Sequence, residues 1–223
     1  MAPEKRFIEC PAFEVTQTMN MTPVPLILRQ QELEVPRTAA EMLGWVEEAH
    51  AKFNTKELRA QAREGKHFAN ELIHEARPLA LFAQHYFDAS PQVTITHVIG
   101  NQNHDAIVED KRDRPGSIRY LEVTTTLKTY DDALRMEILS KEGSVAAYGP
   151  VIAEGPKSNR TSLKADGVAR EHVQIRADHL KLVQEAVERK AKKKYEPSTA
   201  LIVAVDDSVP FSTQEDVRAE QSR

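Results

Sequence analysis

The first sustained hydrophobic period in the chain follows Thr38, where Met42, Trp45, Val46 and Ala49 recur at helical spacing. Thr38 with Glu41 three residues on has the form of a capping box, which places the helix start there. Asn54 with Glu57 repeats that signature. Phe68, Leu72, Ala76, Leu79, Ala83 and Tyr86 then fall on one helical face, so the pattern predicts helix to about residue 87. Pro78 lies inside this run, and a kink or break is expected there, with Pro78 starting the second piece.

After Ser90-Pro91 the period changes from helical to alternating. Residues 92–99 (QVTITHVI), 105–109 (DAIVE) and 117–125 (SIRYLEVTT) predict three strands. The connections between them are short, which favours an antiparallel meander. A helix is predicted over 131–142, stopped by Gly143. Residues 144–169 are rich in Gly, Ser, Pro and Ala and read as a long loop. A last helix is predicted over 177–195, with Leu180, Val183, Val187 and Ala191 as its apolar stripe. Residues 200–206 (ALIVAVD) are nearly all apolar, as in a strand covered on both faces.

The fold class expected is therefore α/β, a central mixed sheet flanked by helices: a three-strand meander plus a buried fourth strand, with an N-terminal helical extension. Residues 1–37, with Pro23 and Pro25 close together, read as an extended arm. Residues 38–211 form one α/β domain with an insertion at about 126–176, and 212–223 a polar tail. An extended arm of this kind makes a homodimer an expected state.

Composition narrows the chemistry. Of the 223 residues 40% are hydrophobic and 29% charged, which is ordinary for a globular chain. The net charge of -4 confines any nucleic-acid contact to a local basic patch or to bridging metal ions. The single cysteine, Cys10, excludes an internal disulfide framework and a cysteine zinc cluster and fits a reducing compartment. No stretch is apolar enough to span a bilayer, so no membrane association is expected. The N-terminus has no apolar signal core, and a cytoplasmic location is expected. The eight histidines form no HExxH, and Walker, GxGxxG and GxSxG loops do not occur.

The residues that carry chemistry are acidic. Asp105 opens the second strand and Glu122 lies within the third, 17 residues on, joined by a hairpin that can set the two carboxylates side by side. Such a pair suits Mg²⁺, which takes few protein carboxylates and keeps waters. Glu122 shares a strand face with Thr124, while Leu121, Val123 and Thr125 share the other. On alternation alone the Glu122 face reads as solvated, with Glu122 an ordinary surface carboxylate. His97 and His104 flank the first turn, and a structural role is expected of them. Lys111, Arg112, Arg114 and Arg119 make the second hairpin basic, as in a solvated turn or a phosphate contact.

The segments HDAIVED, YLEVTTT and RKAKKKY…ALIVAVDD, in the order helix–strand–strand–strand–helix–strand, resemble the PD-(D/E)xK, or restriction-endonuclease-like, nuclease superfamily over about residues 54–207. The resemblance implies a metal-dependent nuclease acting on DNA or, less often, RNA, using Mg²⁺ or Mn²⁺. It implies Asp105 and Glu122 as metal ligands, with the Val123 carbonyl as a third. It also implies a carboxylate from the first core helix, where Glu75 borders the Leu72–Leu79 stripe more closely than Glu71; His74 is expected to face solvent. The superfamily's lysine falls on Thr124, which cannot carry a positive charge. The replacement candidates are Lys128, just past the third strand, and Lys190 and Lys194, near the stripe of the last helix; Lys192 and Lys193 are expected to point away. If none completes the site, the same chain reads as a catalytically inactive binding or scaffold protein of this fold.

Overall fold

The computed structural model describes residues 27–63, 65–126, 129–146, 148–156 and 160–205. The expected arm before residue 27, the tail over 212–223 and Lys128 lie outside them. The elements in chain order are α1 (Gln30–Leu33), β1 (Arg37–Thr38), α2 (Ala39–Ala51), α3 (Lys56–Arg63) and α4 (Ala69–Glu71). A π-helical segment (Leu72–Ala76), α5 (Arg77–Tyr86), β2 (Val93–His97), β3 (Ala106–Asp110) and β4 (Tyr120–Thr125) follow. The chain closes with α6 (Thr129–Glu142), β5 (Val151–Glu154), β6 (Ser162–Ala165), α7 (His172–Ala191) and β7 (Thr199–Ala204).

The fold is mixed α/β around a five-stranded sheet of order β1-β2-β3-β4-β7. Strands β1 to β4 pair antiparallel, as the short connections within β2–β3–β4 lead one to expect for those three. β7 returns through α7 to lie parallel to β4, Glu122 beside Leu201 and Thr124 beside Val203. Alternation decides the buried face: Val93, Ile95 and His97 of β2 and Ala106 and Val108 of β3 are buried. They pack with Leu72, Leu79 and Ala83 of the helical run and with Met42 and Val46 of α2.

Several expectations need correction. The last strand is a half-buried edge strand and not one covered on both faces. The described end of the expected arm is part of the core. Leu28 and Leu33 are buried, β1 pairs with β2, and the Arg37 guanidinium lies 3.6 Å over the Trp45 ring. Glu41 does reach back to Thr38, accepting from its N–H at 3.1 Å and its hydroxyl at 2.8 Å.

The second helical piece starts beside Pro78 as expected, but with no gap in the helix: the π-helical segment passes directly into α5. Proline lacks the N–H for the turn below and crowds the carbonyl four residues back. The π-helical widening over Leu72–Ala76 opens that turn, so α5 continues with Pro78 in its first turn. The break falls earlier, where His67 and Phe68 take positive φ. Tyr86 is not on the buried face; it is exposed and stacks on Phe82 at 4.9 Å.

The 144–169 segment is not a bare loop. It carries the antiparallel pair β5–β6, which packs on α6. Arg135 of α6 donates to the Gly149 carbonyl at 2.5 Å. Gly149 has φ +118°, and a Cβ there would lie 1.9 Å from the Asp166 carbonyl oxygen, so only glycine fits. Among the described residues no helix is long and apolar enough to cross a membrane.

Candidate functional site

Strands β3 and β4 pair Ala106 with Leu121 and Ile107 with Tyr120. At the end of this ladder the chain of β3 bends away, and Asp105 takes over. Its N–H donates to the Leu121 carbonyl at 2.8 Å, and its Oδ2 accepts from the Val123 N–H at 2.7 Å. Asp105 thus grips both neighbours of Glu122, which fixes the two carboxylates close together.

Glu122 is only 3% exposed, so its strand face is covered and not solvated, contrary to the reading from alternation. The cover is α7. Its core-facing residues are Ile175 and Ala186, both buried, with Leu182 half-buried between them. Four residues after Ala186, on the same face, comes Lys190. Its Nζ donates to Glu122 Oε1 and lies 3.4 Å from the Val123 carbonyl. A buried glutamate needs such a partner, because an isolated carboxylate in a low dielectric is costly.

Two more α7-end cations were not expected here. Arg189 Nη2 donates to Thr124 Oγ1 at 3.2 Å, and Lys193 Nζ lies 3.6 Å from Glu122 Oε1, although Lys193 was expected to point away. Lys194 is not brought to the pair: its carbonyl accepts from Asn103 Nδ2 at 3.2 Å, tying the end of α7 to the β2–β3 turn.

Glu75 stands in the widened π turn, where its Oε2 meets the His97 Nε2 at 2.8 Å. His97 is 2% exposed, so this imidazole is a buried strut beneath Glu75. Glu75, Val123, Thr124, Arg189, Lys190 and Lys193 all line one cavity of about 600 Å³. His74 lines it as well and does not face open solvent as expected.

The electrostatics follow from this crowding. The Asp105 carboxyl is pushed up to about 6, chiefly by burial and further by the Glu122 and Glu75 charges. The Val123 N–H and the Lys190 ammonium pull the other way without cancelling the rise. The Tyr195 hydroxyl is buried without a hydrogen-bond partner among the described residues. Burial, and then the charges of Glu122 and Asp105, raise its pKa, which sets the phenol in the field of the acidic pair.

The oxygen donors that could hold a hard cation are the Asp105 and Glu122 carboxylates and the Val123 carbonyl. The Asp105 carboxyl, raised by burial first and then by the Glu122 and Glu75 charges, is an oxygen donor of the kind such an ion takes. Among the described residues no cluster of three His, Cys, Asp or Glu side chains forms a protein-only cage, so waters would complete the shell. The arrangement can polarise a phosphoryl oxygen with Lys190 and hold a water near a carboxylate.

Lys190 and Glu75 were legible from sequence as candidates. Arg189 and Lys193 were missed because the helix stripe was placed on Leu180 and Val187, which are 46% and 40% exposed. No protein-family model, curated protein or solved structure matches the chain.

Proposed function

We propose that the chain is a metal-dependent phosphodiesterase of the restriction-endonuclease-like, PD-(D/E)xK kind, in which Lys190 supplies the cation that Thr124 cannot. The observation that carries this reading is the meeting of the Lys190 ammonium with Glu122 and the Val123 carbonyl. A lysine on the last helix thereby reaches the place where the third strand lacks one. The antiparallel β2–β3–β4 meander with β7 returning parallel to β4 supports the same reading.

Asp105, Glu122 and the Val123 carbonyl would hold Mg²⁺ or Mn²⁺. Such an ion, when bound, neutralises charge on the phosphodiester and lowers the pKa of a bound water. The protein's own groups do the rest. Lys190 and Arg189 stand on the cavity side of Glu122 and Thr124, where they can bind a phosphate oxygen. Glu75, braced by His97, offers a further carboxylate to hold or deprotonate a water. The substrate is nucleic acid, DNA before RNA, and a reducing, cytoplasmic setting accords with the lone Cys10.

The test is cleavage of end-labelled DNA and RNA with Mg²⁺ or Mn²⁺ against EDTA. Wild type is compared with Asp105→Asn, Glu122→Gln and Lys190→Met. Metal-dependent cleavage falling about 100-fold or more in each variant is the expected result. Cleavage that survives in both carboxylate variants would sink the site. The second reading, a binding module without catalysis, takes the Lys190–Glu122 contact as a structural ion pair. It requires that no substrate is cut under any metal.

A further inference from the structure

A second and larger cavity, of about 1080 Å³, runs on from the first: His74 and Thr125 are in the walls of both. It lies between α3 and the π-helical segment on one side and α6 on the other. Its far end is closed where the Ser140 hydroxyl donates to the Ala60 carbonyl at 3.3 Å. Phe53, Leu72 and Leu134, all buried, give it an apolar floor.

The described wall residues carry more positive than negative charge. Among the described residues, five Lys and Arg side chains line this groove against two carboxylates, in a chain whose net charge is -4. Glu137, one of the two, is already matched by Lys141 at 2.7 Å and by Arg160, so the wall there keeps a net positive charge. On the opposite wall Arg63 is exposed, at the end of α3, and forms no ion pair with a described residue. Tyr130, 65% exposed at the start of α6, lines the same groove. An exposed tyrosine ring and cations along one groove are the combination that single-stranded nucleic acid uses: bases stack on the ring and phosphates meet the cations. A duplex keeps its bases stacked inside and offers none to such a ring.

We infer that this groove binds single-stranded nucleic acid and leads the strand past His74 and Thr125 to the Asp105–Glu122 centre. The inference rests on the phosphodiesterase reading for what the strand is delivered to. The binding itself is independent of catalysis and is measured without metal.

The experiment is fluorescence anisotropy of a labelled dT12 strand with the full chain in EDTA. A U12 strand and a 12-base-pair duplex are run beside it. Tyr130→Ala and Arg63→Gln are the variants, and both sites are exposed, so each is expected to fold as wild type. A single strand, DNA or RNA, is expected to bind tighter than the duplex. Tyr130→Ala is expected to weaken it about fivefold or more by removing the stacking ring. Arg63→Gln is expected to weaken it and to lower the salt slope by about 0.7, as one phosphate goes without its cation. Equal affinity for strand and duplex, or binding unchanged in both variants, overturns the inference. So does displacement of dT12 by polyglutamate at equal charge concentration, which marks a surface open to any polyanion. The two readings part cleanly. Groove-dependent strand binding with no cleavage under any metal keeps this inference and removes the phosphodiesterase. Metal-dependent cleavage with binding untouched in both variants does the reverse.

Discussion

Lys190 and Glu122 lie 68 residues apart in sequence, yet the lysine's ammonium donates to the buried Glu122 carboxylate. The pair joins α7 to β4 at a buried acid of the sheet. Lys190→Met leaves that acid in a low dielectric with only Lys193, 3.6 Å away, and is expected to cost about 3 kcal/mol. Adding Glu122→Gln removes the stranded charge, so the double variant is expected to recover about 2 kcal/mol of the summed losses. Urea unfolding of the four proteins of this cycle measures the coupling. Additive losses would show that the pair carries no energy.

Asp105 is held high by burial and two carboxylates, with its carboxyl at about 6 against an ordinary 3.8. A folded-state value above the unfolded one favours the protonated form. Its contribution is therefore full below about 4 and is lost as pH rises through about 6. In EDTA at pH 8, Asp105→Asn is expected to melt above wild type, with the gap closing as pH falls to 4. Mn²⁺ is expected to reverse the order. At 100 times its Kd the ion adds about 2.7 kcal/mol to wild type. Neither Asp105→Asn nor Glu122→Gln should gain it. Melting curves with and without Mn²⁺ test both halves, and equal metal shifts in all three proteins would remove the ion from this site.

Asp110 holds the β3–β4 turn. Its carboxylate takes two bonds from the Arg112 guanidinium, at 2.9 and 2.6 Å, and the Gly116 N–H at 2.8 Å. The Arg112 bonds first, and then the turn's N–H groups, hold its pKa far below the carboxylate range. The basic hairpin is thus partly spent on its own turn. A depressed carboxylate stabilises above the unfolded pKa of about 3.9 and loses that effect as pH falls further. Asp110→Asn is expected to lose about 1–3 kcal/mol at pH 7. The difference from wild type should shrink steadily below pH 4. Urea titrations at pH 7 and pH 3 make the comparison, and a gap that is equal at both values contradicts this role.

His97 reaches Glu75 from beneath the π turn. His97→Phe keeps the core filled but frees the carboxylate, and it is expected to cost about 1–3 kcal/mol. If Glu75 acts only where His97 holds it, the losses of cleavage in His97→Phe and Glu75→Gln will not add in the double variant. Fully additive losses would separate the histidine from the site.

Local pattern determined a good deal of this protein. Alternation in residues 92–99 placed β2, because a half-covered strand forces period two, whereas β4 is covered on both faces. Short turns made the meander antiparallel, and the hairpin put Asp105 beside Glu122. The same local pattern could not say which side of an element is covered. The last helix has two apolar lanes, one through Ile175, Leu182 and Ala186 and one through Val173, Leu180 and Val187. Periodicity cannot choose between them; only the sheet against which the helix packs does. That choice buries Glu122, turns Lys190 inward and leaves Leu180 in solvent. The break before Phe68 and the continuity through Pro78 were likewise settled by packing, since the π turn that accepts the proline is also what carries Glu75 to His97. The acidic pair was written in the sequence, and its cation was chosen by the tertiary fold, because a charge 68 residues away has no local pattern to announce it.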